Sequence, residues 1–159
     1  MVLAALILIL STAFLFFHLQ ATCQRLLRRQ FDRDYFLAIV KANRLEFPAV
    51  RQGLEESHAP VDYPRLRTML KCDFRALTYL LKNAVNLNQR YSREEQLLML
   101  YFRLVLASLI TRHWLRAPEE PAILNLTAIL QYFANVVGQR LNTVRFVNLT
   151  SPAGYRLDP

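Results

Sequence analysis

The stretch VLAALILILSTAFLFFHLQATC, from Val2 to Cys23, decides the architecture of this protein. It contains no charged side chain, and the first charge of the whole chain is Arg25. An apolar run of about 20 residues, rising about 1.5 Å per residue as a helix, matches a hydrocarbon core of ~30 Å. The pattern therefore predicts a transmembrane helix over residues 1–24.

A cleaved signal peptide and a lipoprotein signal are the two alternatives to a span. A signal peptide has a basic start and a short apolar core, whereas this segment starts without a charge and its core is longer. Lipidation at Cys23 would need small apolar residues before it, and Gln20 and Thr22 fit that requirement poorly. A retained transmembrane helix is thus the favoured interpretation.

Arginines follow the span immediately, while no basic side chain precedes it. The positive-inside rule then predicts a single-pass protein of the inner or plasma membrane, with its N-terminus outside and its C-terminal domain in the cytoplasm. Long cationic side chains at a membrane edge reach the lipid phosphates. We expect contacts with anionic lipid head groups from Arg25, Arg28, Arg29 and Arg33.

The rest of the chain carries the net charge of +8 and has room for one domain. Apolar residues recur every three or four positions, and Pro or Gly clusters separate the segments. The predicted fold class is all-α: a single transmembrane helix that continues into a cytoplasmic amphipathic helix, followed by a small three- to four-helix bundle. The expected divisions are 25–47 (an uninterrupted helical extension to Phe47), 48–64 (a connector), 65–142 (the bundle) and 143–159 (an extended arm and tail).

The segment that follows Ser92 raises the question of a second span. Ser92 and Glu95 form the pattern of a capping box, which predicts a helix start. The helix is apolar nearly all round, but Arg103 at its centre would cost about 3 kcal/mol in a bilayer. A fully buried core helix is favoured, and a second span over residues 97–115 stays open.

No catalytic or metal-binding pattern is present, because the histidines have no ligand-like spacing and the three glycines form no phosphate loop. We therefore expect a protein that is not an enzyme. His18 is the exception, since an ionisable side chain inside a span is a candidate functional residue. It could hold haem iron or chlorophyll magnesium, although a neutral imidazole near the interface is favoured over a bound cofactor.

A basic stripe lies beside the apolar face of the helix that starts at Arg65. Because no groove-reading motif accompanies the charge, we expect no nucleic acid as a partner. An acidic protein surface is the preferred partner for this stripe, formed by Arg67, Lys71, Arg75 and Lys82.

The predicted function is that of a non-enzymatic accessory or structural subunit of a larger membrane complex, such as a respiratory or photosynthetic electron-transfer complex. The first alternative is a membrane-tethered cytoplasmic adaptor that binds an acidic protein, and whose residues 48–159 would fold without the span. The second alternative is a haem- or chlorophyll-binding small subunit that uses His18.

Overall fold

The computed structural model of the protein describes residues 2–28, 31, 35–56, 62–83 and 91–150, with side chains for 3–28, 31, 35–54, 62–83 and 91–143. The described chain is helical without any strand, which confirms the all-α class. In chain order the helices are α1 (Val2–Leu27), α2 (Phe36–Asn43), α3 (Phe47–Glu56), α4 (Tyr63–Asn83), α5 (Arg93–Trp114) and α6 (Glu120–Thr150).

Helix α6 is the centre of the domain and packs against α2, α3, α4, α5 and the end of α1. The ring of Phe74 in α4 stacks on Phe102 of α5 with centroids 3.9 Å apart, and meets Phe133 of α6 edge-on at 6.0 Å. The predicted apolar face of α4 is buried in this core, as its period of three and four requires. Its buried members are Leu66, Leu70, Phe74, Leu77 and Leu81.

Helix α1 consists of an uncovered part and a packed part. Its large apolar side chains from Leu3 to Phe17 are exposed, whereas Cys23 is fully buried. Leu19 and Leu26 are partly buried against the same core. The C-terminal turns of α1 are therefore built into the domain, while the preceding turns stand clear of it.

The prediction of one uninterrupted helix from the span to Phe47 is wrong. Helix α1 ends at Leu27, Phe31 and Tyr35 lie outside any helix, and α2 begins at Phe36. The ring of Phe31 packs edge-on against Tyr132 of α6 at 5.4 Å. Phe31 and Tyr35 are partly buried, and their contacts with Tyr132 and Gly138 join this segment to α6.

The structure describes helices in two further segments of the predicted organisation. Helix α3 occupies most of the predicted connector, with Pro48 in its first turn, where the missing N–H group removes no helical hydrogen bond. Residues 143–150 continue α6 as a helix, so that part of the predicted arm is not extended. No Pro or Gly interrupts the chain between Gly138 and Pro152, and a formed helix propagates readily through such a stretch. Residues 151–159 lie outside the described residues.

The predicted capping box at the start of α5 is present. The Ser92 hydroxyl accepts a hydrogen bond from the Glu95 N–H at 3.2 Å, and the Glu95 carboxylate accepts one from the Ser92 N–H at 3.0 Å. The second carboxylate oxygen of Glu95 pairs with the Arg140 guanidinium of α6. Both oxygens of this buried carboxylate are therefore satisfied, and the pair joins the first turn of α5 to the C-terminal half of α6.

Helix α5 is buried on one side only, which corrects the prediction of a fully buried core helix. Leu98, Phe102 and Leu109 face the core, whereas Leu100 and Arg103 are exposed. Arg103 thus points away from the core, where its charge stays hydrated. The even distribution of apolar residues around α5 reflects two apolar faces, of which the domain covers one.

Candidate membrane-contacting and partner-binding surfaces

Among the described residues, three helices are long and apolar enough to cross a membrane: α1, α5 and α6, with mean hydropathies of 2.1, 1.2 and 1.2. They differ in what covers them. The most apolar stretch of α1 is uncovered by the rest of the chain, whereas most of α6 is buried inside the domain. The apolar character of α6 is thus accounted for by the protein core.

The charges on α4 argue against α5 and α6 as spans. Phe74 stacks on Phe102, so the middle of α4 lies beside the middle of α5. Lys71 and Arg75 flank Phe74 and are exposed. If α5 crossed a bilayer, these cations would lie near the centre of the hydrocarbon, where charged side chains are strongly disfavoured. This packing favours α1 as the membrane-crossing helix.

The predicted lipid-contacting arginines are described in part. Arg25 lies in the last turn of α1, Arg28 directly follows the helix, and both side chains are exposed. Arg29 and Arg33 lie outside the described residues. The two described arginines are available at the end of the apolar helix, as a membrane-edge position requires.

His18 is exposed on α1, directly before the turns of the helix that join the domain. Its backbone carbonyl accepts a hydrogen bond from the Thr22 hydroxyl at 2.9 Å. No group of three or more His, Cys, Asp or Glu side chains is arranged to hold a metal within the described ranges. The imidazole thus faces outward from the described part of the protein.

The residues of the predicted basic stripe lie on α4 and are all at least partly exposed. Lys71, Arg75 and Lys82 are exposed, and Arg67 is half-buried. Arg65 at the start of the helix is also exposed, which the sequence prediction did not include. Arg65 lies about 80–160° from the other four cations around the helix axis. We therefore call the set of Arg67, Lys71, Arg75 and Lys82 the basic surface. The acidic residue of α4, Asp73, is buried, so the helix offers no exposed negative charge to offset these cations.

Asp73 has a structural contact in the core. Its Oδ2 atom accepts hydrogen bonds from the backbone N–H groups of Glu46 at 3.0 Å and Phe47 at 2.8 Å, at the start of α3. Burial raises the pKa of the Asp73 carboxyl, and the two hydrogen bonds oppose that rise. The carboxyl satisfies N–H groups that the first turn of α3 leaves without a helical partner.

A histidine–carboxylate pair lies at the turn between α5 and α6. His113 Nδ1 is 2.7 Å from Glu119 Oε1, and the imidazole stacks on the Tyr63 ring at 3.8 Å between centroids. Burial raises the pKa of Tyr63. The pair faces a cavity of about 410 Å³ that Leu54 and Arg116 also line. These contacts hold the ends of α4, α5 and α6 together. No sequence pattern indicated them, because Tyr63 is far from the turn in the chain.

Comparison of the chain with protein family models, with curated proteins and with solved structures finds no match. The uncovered helix α1 and the basic surface of α4 are therefore the features of the molecule from which a function can be inferred.

Proposed function

We propose that this protein is a non-enzymatic, single-pass accessory subunit of a larger membrane protein complex. Helix α1 crosses the membrane with its N-terminus outside, and the helical domain lies in the cytoplasm, where the basic surface contacts an acidic protein partner. The observation that carries the proposal is the junction of α1 with the domain, where Cys23 is fully buried in the core. A helix joined in this way fixes the domain at a set depth and orientation beside the membrane.

This junction favours a subunit over a tethered adaptor. An adaptor on a simple tether needs a domain that is complete without the span. Here Cys23, Ile39 and Leu45 belong to the same buried core as α4, α5 and α6. Removing the chain before residue 48 would expose apolar surface that these side chains now cover, at about 25 cal/mol for each Å².

The charge distribution supports an acidic protein as the partner. The basic surface carries four cations on one side of α4, and the helix has no exposed acidic side chain. Complementary charge speeds encounter and selects the partner more than it adds affinity. Charge reversal on this surface is therefore expected to weaken assembly without unfolding the domain.

The test is purification of the full chain from its native membrane in a mild detergent, followed by native gels and mass spectrometry of the complex. We expect the unsubstituted chain to migrate with partner proteins, and the double variant K71E/R75E to lose most of them. The matched control is K41E/R93E, which makes the same change of charge at two exposed positions outside the basic surface. The control should keep the partners.

Three outcomes would contradict the proposal. A monomer without partners would exclude a subunit role, and equal loss of partners in both double variants would exclude the basic surface as the contact. A haem or chlorophyll absorbance band that disappears in H18A would replace the accessory role with the cofactor-binding alternative. The respiratory or photosynthetic nature of the complex stays a prediction that the identity of the partners tests.

A further inference from the structure

The exposed side of α5 carries an apolar stripe that the domain does not cover. Its members recur at spacings of three and four, as residues on one helix face do. Leu100 is 51% exposed and Trp114 is 85% exposed. Leu115, directly after the helix, is 78% exposed. We call this face the outer stripe; its residues are Leu100, Leu104, Ala107, Thr111 and Trp114.

The outer stripe faces away from the bundle. Leu100 and Leu104 are each two positions from Phe102, which places them about 160° from it around the helix axis. Phe102 is the α5 side chain that stacks on α4. The outer stripe and the core face are therefore on nearly opposite sides of α5.

The junction with α1 places this side of α5 at the depth of the membrane edge. Helix α1 packs against α5, and its buried Cys23 lies near Tyr101. The uncharged part of α1 extends to Gln24, so the polar boundary of the bilayer is reached at about Arg25. The packed turns from Leu19 to Arg25 cover about 9 Å. This is the depth, about 5–10 Å, to which an interfacial helix buries its apolar face.

The charges around the outer stripe suit lipid phosphates. After the first turn of α5, the charged side chains Arg103, Arg112 and Arg116 are all cationic up to the turn into α6. Trp114 ends the stripe, and tryptophan prefers the head-group region, where its ring is apolar and its N–H group can be hydrated. Leucine and tryptophan on one face with arginines beside them are typical of a helix lying in the plane of a membrane surface.

We propose that α5 is an interfacial helix whose outer stripe lies in the head-group region of the bilayer beside α1. This second membrane contact rests on the proposed span but not on the acidic partner. It fixes the tilt of the domain, because α1 and α5 then hold it at two places. The other possible cover for the stripe, a protein surface, is an outcome of the test.

Trp114 is the only tryptophan in the chain, so its fluorescence reports directly on the outer stripe. The full chain is reconstituted in vesicles of phosphatidylcholine and phosphatidylglycerol, with and without lipids brominated near the top of the acyl chain. We expect the brominated lipids to quench the fluorescence strongly, while iodide on both sides of the membrane quenches it weakly. The emission should lie at shorter wavelength than in the unfolded chain.

Two results would overturn the proposal. Strong iodide quenching without quenching by brominated lipid would place Trp114 in water. Weak quenching by both would show that protein covers the stripe. Neither result would affect the native-gel test of the accessory subunit, so the two proposals can fail separately.

A substitution provides a further check on the stripe. L100D places a charge in the middle of the outer stripe and should reduce quenching by brominated lipid while raising iodide quenching. The matched control is Y79D, which changes an exposed apolar side chain of α4 outside the outer stripe. It should leave the quenching by brominated lipid and the quenching by iodide unchanged. Circular dichroism of the helices shows whether each variant is folded. If L100D does not fold, the quenching of the unsubstituted chain alone decides whether the outer stripe contacts lipid.

Discussion

At the scale of single residues, Asp73 explains how a charged side chain can occupy the core face of α4. Its Oδ2 atom accepts from the Glu46 and Phe47 N–H groups, so the carboxyl takes the place of an N-cap for α3. The sequence prediction assigned no partner to Asp73, since its partners lie 26 and 27 positions earlier in the chain. Only the packing of α4 against α3 brings these groups together.

We expect D73A to lower the free energy of unfolding by about 1–2 kcal/mol, because two buried N–H groups lose their acceptor. D73N retains an acceptor oxygen and should have a much smaller effect. Chemical denaturation of the full chain in detergent, followed by circular dichroism, measures both. Equal losses for the two variants would show that the carboxylate charge, rather than the acceptor, matters.

The pH dependence of the stability of the unsubstituted chain, compared with that of D73N, tests the effect of burying Asp73. Because burial raises the pKa of Asp73 above 3.8 in the folded state, the folded protein favours the protonated carboxyl. The stability that this contributes is fully present below pH 3.8 and is lost as pH rises through the raised value. Relative to D73N, the unsubstituted chain should therefore become more stable as pH falls through this window, and the opposite slope would contradict the assignment.

At the scale of elements, Gly138 sets the distance between α6 and the segment that enters α2. A Cβ atom built at Gly138 would lie 2.2 Å from the Cβ atom of Tyr35, which no ordinary contact allows. The Tyr35 hydroxyl accepts a hydrogen bond from the Asn142 side chain at 2.9 Å, one turn further along α6. Gly138 is therefore a site of close approach between α6 and the segment before α2.

We expect G138A to destabilise the domain by about 1–3 kcal/mol, because the added methyl group must push Tyr35 away from α6. The matched control is G53A in α3, where an added Cβ atom meets nothing within 4 Å. Alanine is a better helix former than glycine, so G53A should raise stability by about 0.5–1 kcal/mol. Denaturation midpoints measure both changes, and a neutral G138A would show that the two segments are not in close contact.

At the scale of the whole molecule, the two cysteines report on membrane orientation. Cys23 is buried and Cys72 is exposed on α4. With the domain in the cytoplasm, a membrane-impermeant maleimide should label Cys72 only after cells are permeabilised. C72S should show no labelling in either state, since Cys23 is covered by the core. Labelling of Cys72 in intact cells would place the domain outside and reverse the proposed orientation.

Features that depend on residues close together in the sequence were predicted correctly, whereas features that depend on distant contacts were not. The apolar face of α4 and the capping box of α5 depend on residues three or four positions apart, and both are present as predicted. The break after Leu27 was not predictable, because the contacts that favour it, such as Phe31 with Tyr132, are far apart in sequence. The period of α5 did not reveal which face would be covered, since both faces are apolar.

The sequence by itself determined the all-α class and the uncharged helix up to Gln24, because helix period, capping and the cost of charge in lipid act locally along the chain. It also placed the predicted cations of the basic surface on one side of α4. Only the tertiary structure decided that Cys23 joins the core, that Asp73 is removed from the surface, and that the outer stripe of α5 is left uncovered. Those outcomes depend on which helix faces pack together. The period of apolar residues shows that a helix has an apolar face, but it does not show which other helix covers that face.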